Sequence, residues 1–341
     1  MAKKGVDKTK EEVKIITKNV LAPEIPVVGL GASAGGLEAL EKFFSSMPIN
    51  TGLAFVIVQH LDPDHKSILV ELIQRHTLMI VSQIENGDEI EPNRVYIIPP
   101  GFELKLINNK LMLGEQIKPR GLRLPIDAFL KSLAEDKKDK AIGIILSGTG
   151  TDGTLGLRAI KAENGFTFVQ SPENSKYDGM PVSAISTGIV DHILDADKMA
   201  QKLLAYVNYI YDVTGKVPIP EEYSMNFIVK IFRLLRSKTG HDFSSYKPNT
   251  ILRRIERRIK IAQFSKIEDY YTHLLSNTDE LHTLFKDFLI GVTNFFRDKE
   301  AFENLYDSIL PNLFTDRPTE LPIRIWAPGC STGEEAFSLA I

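Results

Sequence analysis

A single cysteine, Cys330, in 341 residues removes two kinds of architecture at once. One thiol cannot build an internal disulfide framework, and it cannot build a cysteine-based metal cluster. No metal is expected, and a reducing, cytoplasmic location is. Long apolar runs are missing as well: no stretch reaches the roughly 18 consecutive apolar residues a membrane helix requires, so no membrane insertion is expected. Nor is there an excess of one charge. The 41 lysines and arginines stand against 44 acids, a formal net charge of −3. Such a balance gives no whole-chain reason to expect nucleic acid or an anionic membrane as partner. The first residues carry Lys3, Lys4, Lys8, Lys10, Lys14 and Lys18 without an apolar core or a small-residue cleavage site. That pattern is not a secretory signal, and it predicts a basic flexible tail over 1–23.

What is present is ordinary globular material, 43% hydrophobic and 25% charged, long enough for two or three domains. From Pro26 to about Tyr211 short apolar runs alternate with helical patterns. Strands are expected at 27–31, 53–58, 95–98, 103–107, 111–113, 141–147 and 166–170, and helices near 36–47, 65–76, 125–136, 153–164 and 196–210. Alternation of this kind predicts an α/β domain over 24–210 with a doubly wound, largely parallel sheet. The Asn108-Asn109 turn predicts an antiparallel hairpin added to it. Residues 211–222, with Gly215, Pro218 and Pro220, read as a linker. An all-α helical domain over 223–292 follows, with helices at 223–238, 248–264, 266–276 and 279–290, and another helix at 299–313. A new strand at 323–326 and the start of a helix then open a further α/β unit, over 293–341, which reads as truncated.

The chemistry concentrates first at Val27-Val28-Gly29-Leu30-Gly31-Ala32-Ser33-Ala34-Gly35-Gly36. A serine on a strand-to-helix turn stands clear of a sheet beside the amides that open the helix, a place for a nucleophile or for an anion. Gly29-Leu30-Gly31-Ala32-Ser33-Ala34 also satisfies the relaxed dinucleotide fingerprint, so a nucleotide-binding α/β oxidoreductase is one reading. Against it, the second strand ends in Gln59-His60 and not in the acid that would hold a ribose hydroxyl. His60 closes that strand, and Asp152 lies in Ser147-Gly148-Thr149-Gly150-Thr151-Asp152-Gly153 after a later one. Strand ends at the switch point of a doubly wound sheet share one rim, which would bring together a nucleophile, a base and an orienting acid. Ser147 and the histidines at 65, 76 and 192 are rivals for these roles on composition alone.

The segments Gly29–Gly36, Val56–Leu61, Val95–Gly101, Ile144–Gly156 and Gln170–Val190 together resemble the catalytic domain of the chemotaxis protein-glutamate methylesterases, the CheB family. The resemblance implies Ser33 as nucleophile, His60 as base and Asp152 as its acid partner, with the main-chain amides of Ala34 and Thr149 as oxyanion donors. The implied activity is hydrolysis of glutamate methyl esters on a chemoreceptor, with glutamine deamidation as a companion activity and no cofactor. Family members carry a phosphorylatable receiver domain in front. Only about two dozen residues precede the match here, so control by phosphorylation within the chain is not expected, and a separate signalling kinase or response regulator is the further expected partner.

Between Lys230 and Lys260 ten basic residues meet two acids, Asp242 and Glu256. On helix 248–264, Leu252, Ile255, Ile259 and Ala262 share one face and Arg253, Arg254, Arg257 and Arg258 take the other. No base-reading motif accompanies these charges, so no nucleic acid is expected and an acidic protein surface is the better partner. A docking module without catalysis is therefore the non-enzymatic alternative. Tyr246-Lys247…Thr250…Arg253-Arg254-Ile255, Thr293-Asn294-Phe295-Phe296-Arg297 and Arg324–Glu335 resemble the chemotaxis receptor methyltransferases, the CheR family. That resemblance implies receptor docking by the four arginines, and S-adenosylmethionine binding by Thr293, Arg297 and Glu334, with Glu335 as the alternative to the last. As a truncated form, the methyltransferase part is expected to have little or no activity.

Overall fold

The computed structural model describes residues 25–60, 68–115, 123–213, 221–290, 295–297, 299–315, 323–330 and 333–341. The expected tail over 1–23, most of the expected linker, the histidine at 65 and Thr293 lie outside them.

Apolar, β-branched runs bounded by glycine or polar residues make the strands of the first unit. In chain order its elements are β1 (Val27–Ala32), α1 (Gly36–Ser45), β2 (Ala54–Gln59), α2 (Leu69–Gln74), β3 (Ile80–Gln83), β4 (Asp88–Glu89), β5 (Arg94–Ile97), β6 (Phe102–Ile107), β7 (Lys110–Glu115), α3 (Pro125–Lys137), β8 (Ala141–Ile145), α4 (Thr154–Ala162), β9 (Phe166–Gln170), α5 (Gly179–Ser186), β10 (His192–Leu194) and α6 (Ala196–Val213). Seven strands form one parallel sheet in the order β10-β9-β8-β1-β2-β5-β3. The chain leaves β1 toward β2, then returns to β8 on the other side, so the order reverses at β1. Every residue of β1 is buried, as a central parallel strand covered on both faces must be.

The pleat divides the core in two. Val28 and Leu30 join Phe43, Phe44 and Leu203 under α1 and α6, whereas Val27 faces Phe129, Leu130 and Leu133 of α3. Gly29 and Gly31 lie on the α3 side. A Cβ at Gly29 would fall 2.6 Å from Leu130 Cδ2, and one at Gly31 would fall 2.4 Å from Ile126 Cγ2. These glycines therefore let α3 lie directly on β1. The antiparallel hairpin of β6 and β7 turns at Asn108 and Asn109, whose φ values of 50° and 65° suit the primed turn that right-twisted strands need. With β4 the hairpin forms a three-stranded sheet against α3, tied by the Leu106 amide donating to Ser132 Oγ at 3.0 Å.

Four helices form the second unit: α7 (Glu221–Thr239), α8 (Pro248–Ala262), α9 (Ile267–Ser276) and α10 (Thr278–Phe288). Ile231, Leu235, Phe243, Ile255, Tyr270 and Leu284 meet in its core. Here one expectation is corrected. Of the four arginines assigned to a receptor-facing surface, only Arg253 is exposed; Arg254, Arg257 and Arg258 are 5%, 3% and 5% exposed. Their polar face is seated on carboxylates and helix-end carbonyls of the chain itself, which removes it from solvent.

Beyond α10 the described elements are α11 (Lys299–Asn304), a π-turn over Leu305–Ile309, α12 (Leu310–Phe314) and α13 (Glu334–Ala340). The strand expected at 323–326 does not form, and Trp326 is 87% exposed. A strand exists through its pairing, and no described strand lies beside this one. No helix among the described residues is long and apolar enough to cross a membrane.

Candidate active site

Three chain segments end on the same rim of the sheet, next to the point where strand order reverses. Ser33 directly follows β1, His60 directly follows β2, and Asp152 lies in the loop from β8 to α4. Ser33 Oγ is 3.0 Å from His60 Nδ1, and His60 Nε2 is 2.9 Å from Asp152 Oδ2. An ionised carboxylate only accepts, so the bond to Asp152 places the imidazole proton on Nε2. Nδ1 is then left as the acceptor for the Ser33 hydroxyl. A general base needs this pairing, a lone pair on the nucleophile's proton and a charge behind the ring.

Asp152 is only 3% exposed, yet its charge is well satisfied. Oδ2 also accepts from the Ile126 amide at 3.0 Å, and Oδ1 accepts from the Asp127 and Gly153 amides at 2.8 and 2.9 Å. Ile126 and Asp127 belong to the first turn of α3, where free N–H groups and the helix dipole favour an anion. The neighbouring Asp127 accepts from the Gly156 amide at 2.7 Å. Burial pushes the Asp127 carboxyl above its ordinary value, the Gly156 bond opposes this, and the charge of Asp152 adds to it.

The serine turn is held from below by a second serine. The Ser33 amide donates to the Ser147 carbonyl at 3.0 Å. Ser147 Oγ shares its proton between the carbonyls of Ala34 at 2.9 Å and Tyr177 at 3.2 Å, and accepts from the Tyr177 amide at 3.0 Å. Its own amide donates to Gln170 Oε1 at 2.8 Å. Close packing explains the glycines here. A Cβ on Gly148 would lie 2.2 Å from Met180 Sδ and 2.9 Å from Ser33 Cβ, and Gly35 turns the chain at φ 70° against Lys176, Ser147 and Tyr177. The amides of Ala34 and Thr149, expected as oxyanion donors, donate no hydrogen bond among the described residues.

The described rivals are otherwise engaged. Ser147 is buried under the turn. His76 Nδ1 bonds to Ser45 Oγ at 2.9 Å, and His192 stands on β10 with burial, reinforced by the charge of Lys202, pushing it down to about 4. Sequence reasoning missed the supporting groups: Ser147 as a bracket, Gln170 behind it, and the α3 amides on Asp152. Pro125 at the first position of α3 was the available signal for the amides, since proline there marks a helix start. Arg297 is exposed and Glu334 opens α13; the Phe296 amide donates to Ser338 Oγ at 3.0 Å, which joins the Arg297 segment to that helix.

Comparison with known proteins adds family membership to this geometry. Residues 28–203 match the family model described as CheB methylesterase, 228–289 that of the CheR methyltransferase all-alpha domain, and 291–341 that of the CheR methyltransferase SAM-binding domain. An uncharacterized 104.1 kDa protein of Rhodobacter capsulatus is 33% identical over 294 residues, which cover 80% of this chain and 31% of that protein. The protein-glutamate methylesterase/protein-glutamine glutaminase of Thermotoga maritima is 34% identical over 196 residues, 56% of each chain. A crystal structure of the Thermotoga maritima CheB methylesterase catalytic domain superposes with a TM-score of 0.50 at 33% identity, covering 53% of this chain and 98% of that one. The chain thus spans between about a third and about half of the length of these two curated relatives.

Proposed function

The chain belongs to the CheB methylesterase family, and from that premise we propose that it hydrolyses glutamate methyl esters on a chemoreceptor through Ser33, His60 and Asp152. One observation carries the reading: the unbroken chain from Ser33 Oγ through the imidazole to Asp152, with contacts of 3.0 and 2.9 Å. Ser33 Oγ attacks the side-chain ester carbonyl as His60 Nδ1 takes its proton. The carbonyl oxygen becomes an oxyanion that the amides of Ala34 and Thr149 receive, each such donor contributing about 3 kcal/mol to the barrier reduction. Collapse expels methoxide, which leaves as methanol with the proton from Nδ1. Water, deprotonated by the same nitrogen, then attacks the acyl-serine and releases the glutamate carboxylate. Asp152 keeps Nε2 protonated throughout and stabilises the imidazolium each time it forms. The same attack on a side-chain amide would deamidate glutamine.

The carboxyl-terminal segment fits S-adenosylmethionine in its chemistry. The Phe296–Ser338 bond holds the segment of Arg297 against the helix that Glu334 opens, offering a guanidinium for a carboxylate and a carboxylate for an ammonium or a ribose. Thr293, Arg297 and Glu334 would hold the group, which when bound supplies a methyl group for the reverse modification. Demethylation of a receptor by the first unit, beside a segment of the methyltransferase type, would place the chain in sensory adaptation, in the cytoplasm.

Methanol release from methylated receptor tests the esterase reading directly. Wild-type chain should release methanol and a phosphonate probe should label Ser33, whereas Ser33→Ala should do neither. Methanol release undiminished in Ser33→Ala would overturn the assignment.

A further inference from the structure

The arginines of α8 do most of their bonding across the seam between the first unit and the helical unit. Arg254 donates to the carbonyls of Lys161 at 2.6 Å and Ala162 at 3.1 Å. These are the last residues of α4, whose terminal carbonyls have no acceptor role left inside the helix. Arg257 donates to the Gly165 carbonyl from Nε at 3.0 Å and Nη2 at 2.7 Å, and pairs with both Asp191 and, at 3.1 Å, Asp287. Lys161 Nζ bridges the same two acids from the other side, at 2.7 and 2.9 Å. Arg258 forks onto Glu280, which also accepts from Tyr270 Oη at 2.8 Å.

The charges nearly cancel. Four cations (Lys161, Arg254, Arg257, Arg258) meet three carboxylates (Asp191, Glu280, Asp287), none of these side chains more than 11% exposed where the ion pairs are formed. The remaining positive charge, that of Arg254, falls on the negative end of the α4 dipole. Burial opposes the Asp191 charge, but Arg257, Lys161 and Arg258 overcome it and hold the carboxyl well below the usual range. Apolar contact runs through the same seam, because Ile261 of α8 packs in one cluster with Tyr206 and Val207 of α6.

We propose that this seam is a permanent docking surface: α8 is the built-in partner of the α4 end and the Asp191 corner, and the two units act as one body. Buried charges are costly unless they are paired. Parting the units would leave Lys161 with Asp191 alone on one side, and strand Arg254 and Arg257 with Asp287 on the other. The occupant is fixed by complementarity of charge and hydrogen bonding, donor to carbonyl and cation to acid, from residues more than 60 positions apart in the chain. An acidic receptor segment would have to displace these carboxylates and the α4 carbonyls to reach Arg254, Arg257 and Arg258; Arg253, at the rim of the seam, is the exposed one of the four.

The test is assembly, so it stands or falls independently of esterase activity. A site for a specific protease is inserted between Lys216 and Val217 of the full chain, and the cut protein is run on size exclusion with light scattering at micromolar concentration. The two wild-type pieces should stay together in 0.5 M salt, because buried pairs are little screened. Arg257→Glu and Asp191→Arg should each weaken the association at least 100-fold, Arg254→Gln about tenfold, and Arg253→Glu not at all. Circular dichroism of the separated pieces distinguishes undocking from unfolding. Wild-type pieces that part at micromolar concentration, or an Arg257→Glu chain that holds together as firmly as wild type, would overturn the proposal.

Discussion

The Ser33 amide donates to the Ser147 carbonyl at 3.0 Å, so a serine at the end of β8 holds the serine at the end of β1. Two serines from adjacent strands thus have unlike duties, one presented to solvent and one buried beneath it. In Ser147→Ala the Tyr177 amide loses its acceptor and the Ala34 carbonyl its donor, a cost of about 1–3 kcal/mol. Thermal unfolding should show that loss, while phosphonate labelling of Ser33 persists at a reduced rate. Complete loss of labelling in a folded Ser147→Ala chain would mean that Ser147 takes part in the chemistry.

Asp152→Asn keeps the size of the side chain but presents an amide donor among four groups that all donate. The imidazole would turn to a tautomer with no lone pair for Ser33. Methanol release should fall by about 10³–10⁴-fold in kcat, with KM little changed. A drop of less than tenfold would remove Asp152 from the mechanism.

Gly31→Ala tests whether the glycines of the opening motif serve packing or a bound nucleotide. Its Cβ would meet Ile126 Cγ2 at 2.4 Å and Ile145 Cδ1 at 2.8 Å. Overpacking of this kind costs about 1–3 kcal/mol, to be read from urea unfolding. Equilibrium dialysis against a dinucleotide should give no saturable binding to the wild-type chain, and saturable binding would revive the oxidoreductase alternative.

His192 predicts an acid-sensitive stability. Burial first, then the charge of Lys202, pushes it from an ordinary 6.5 down to about 4, so between these values the unfolded chain binds the proton more readily. Its contribution is fully present above pH 6.5, declines as the pH falls, and is lost below about 4. At about 1.4 kcal/mol per pH unit of separation the total is at most about 3–4 kcal/mol. Urea midpoints from pH 7 to pH 4 should fall more steeply for wild type than for His192→Gln. Equal slopes would contradict the assignment.

Long apolar strands such as β1, β2, β8 and β9 were legible because a parallel strand covered on both faces must be apolar throughout. Short ones were not. Ile80–Gln83, Asp88–Glu89 and His192–Leu194 have two to four residues and mixed polarity, and they are strands only because an edge already exists for them to join. The helix expected at 299–313 had the right extent, but its middle widens into a π-turn before Pro311. The positions of Ser33, His60 and Asp152 could be read because each follows an apolar strand, and parallel strands carry their following loops to one rim.

By itself the sequence determined the alternation of strand and helix, the placing of a serine, a histidine and an aspartate after strands, and the family that residues 28–203 match. Those features are local, written in periodicity and in short motifs. Only the tertiary structure decided what each polar group faces. The α3 amides that meet Asp152, and the Ala34 and Tyr177 carbonyls that meet the Ser147 hydroxyl, are main-chain groups, so the partner in each contact is not named by its residue type. The arginine face of α8 shows the matter most clearly. A charged stripe on a helix looks the same whether water or a buried carboxylate lies opposite, and Asp191, 66 residues from Arg257 along the chain, is brought there only by the fold.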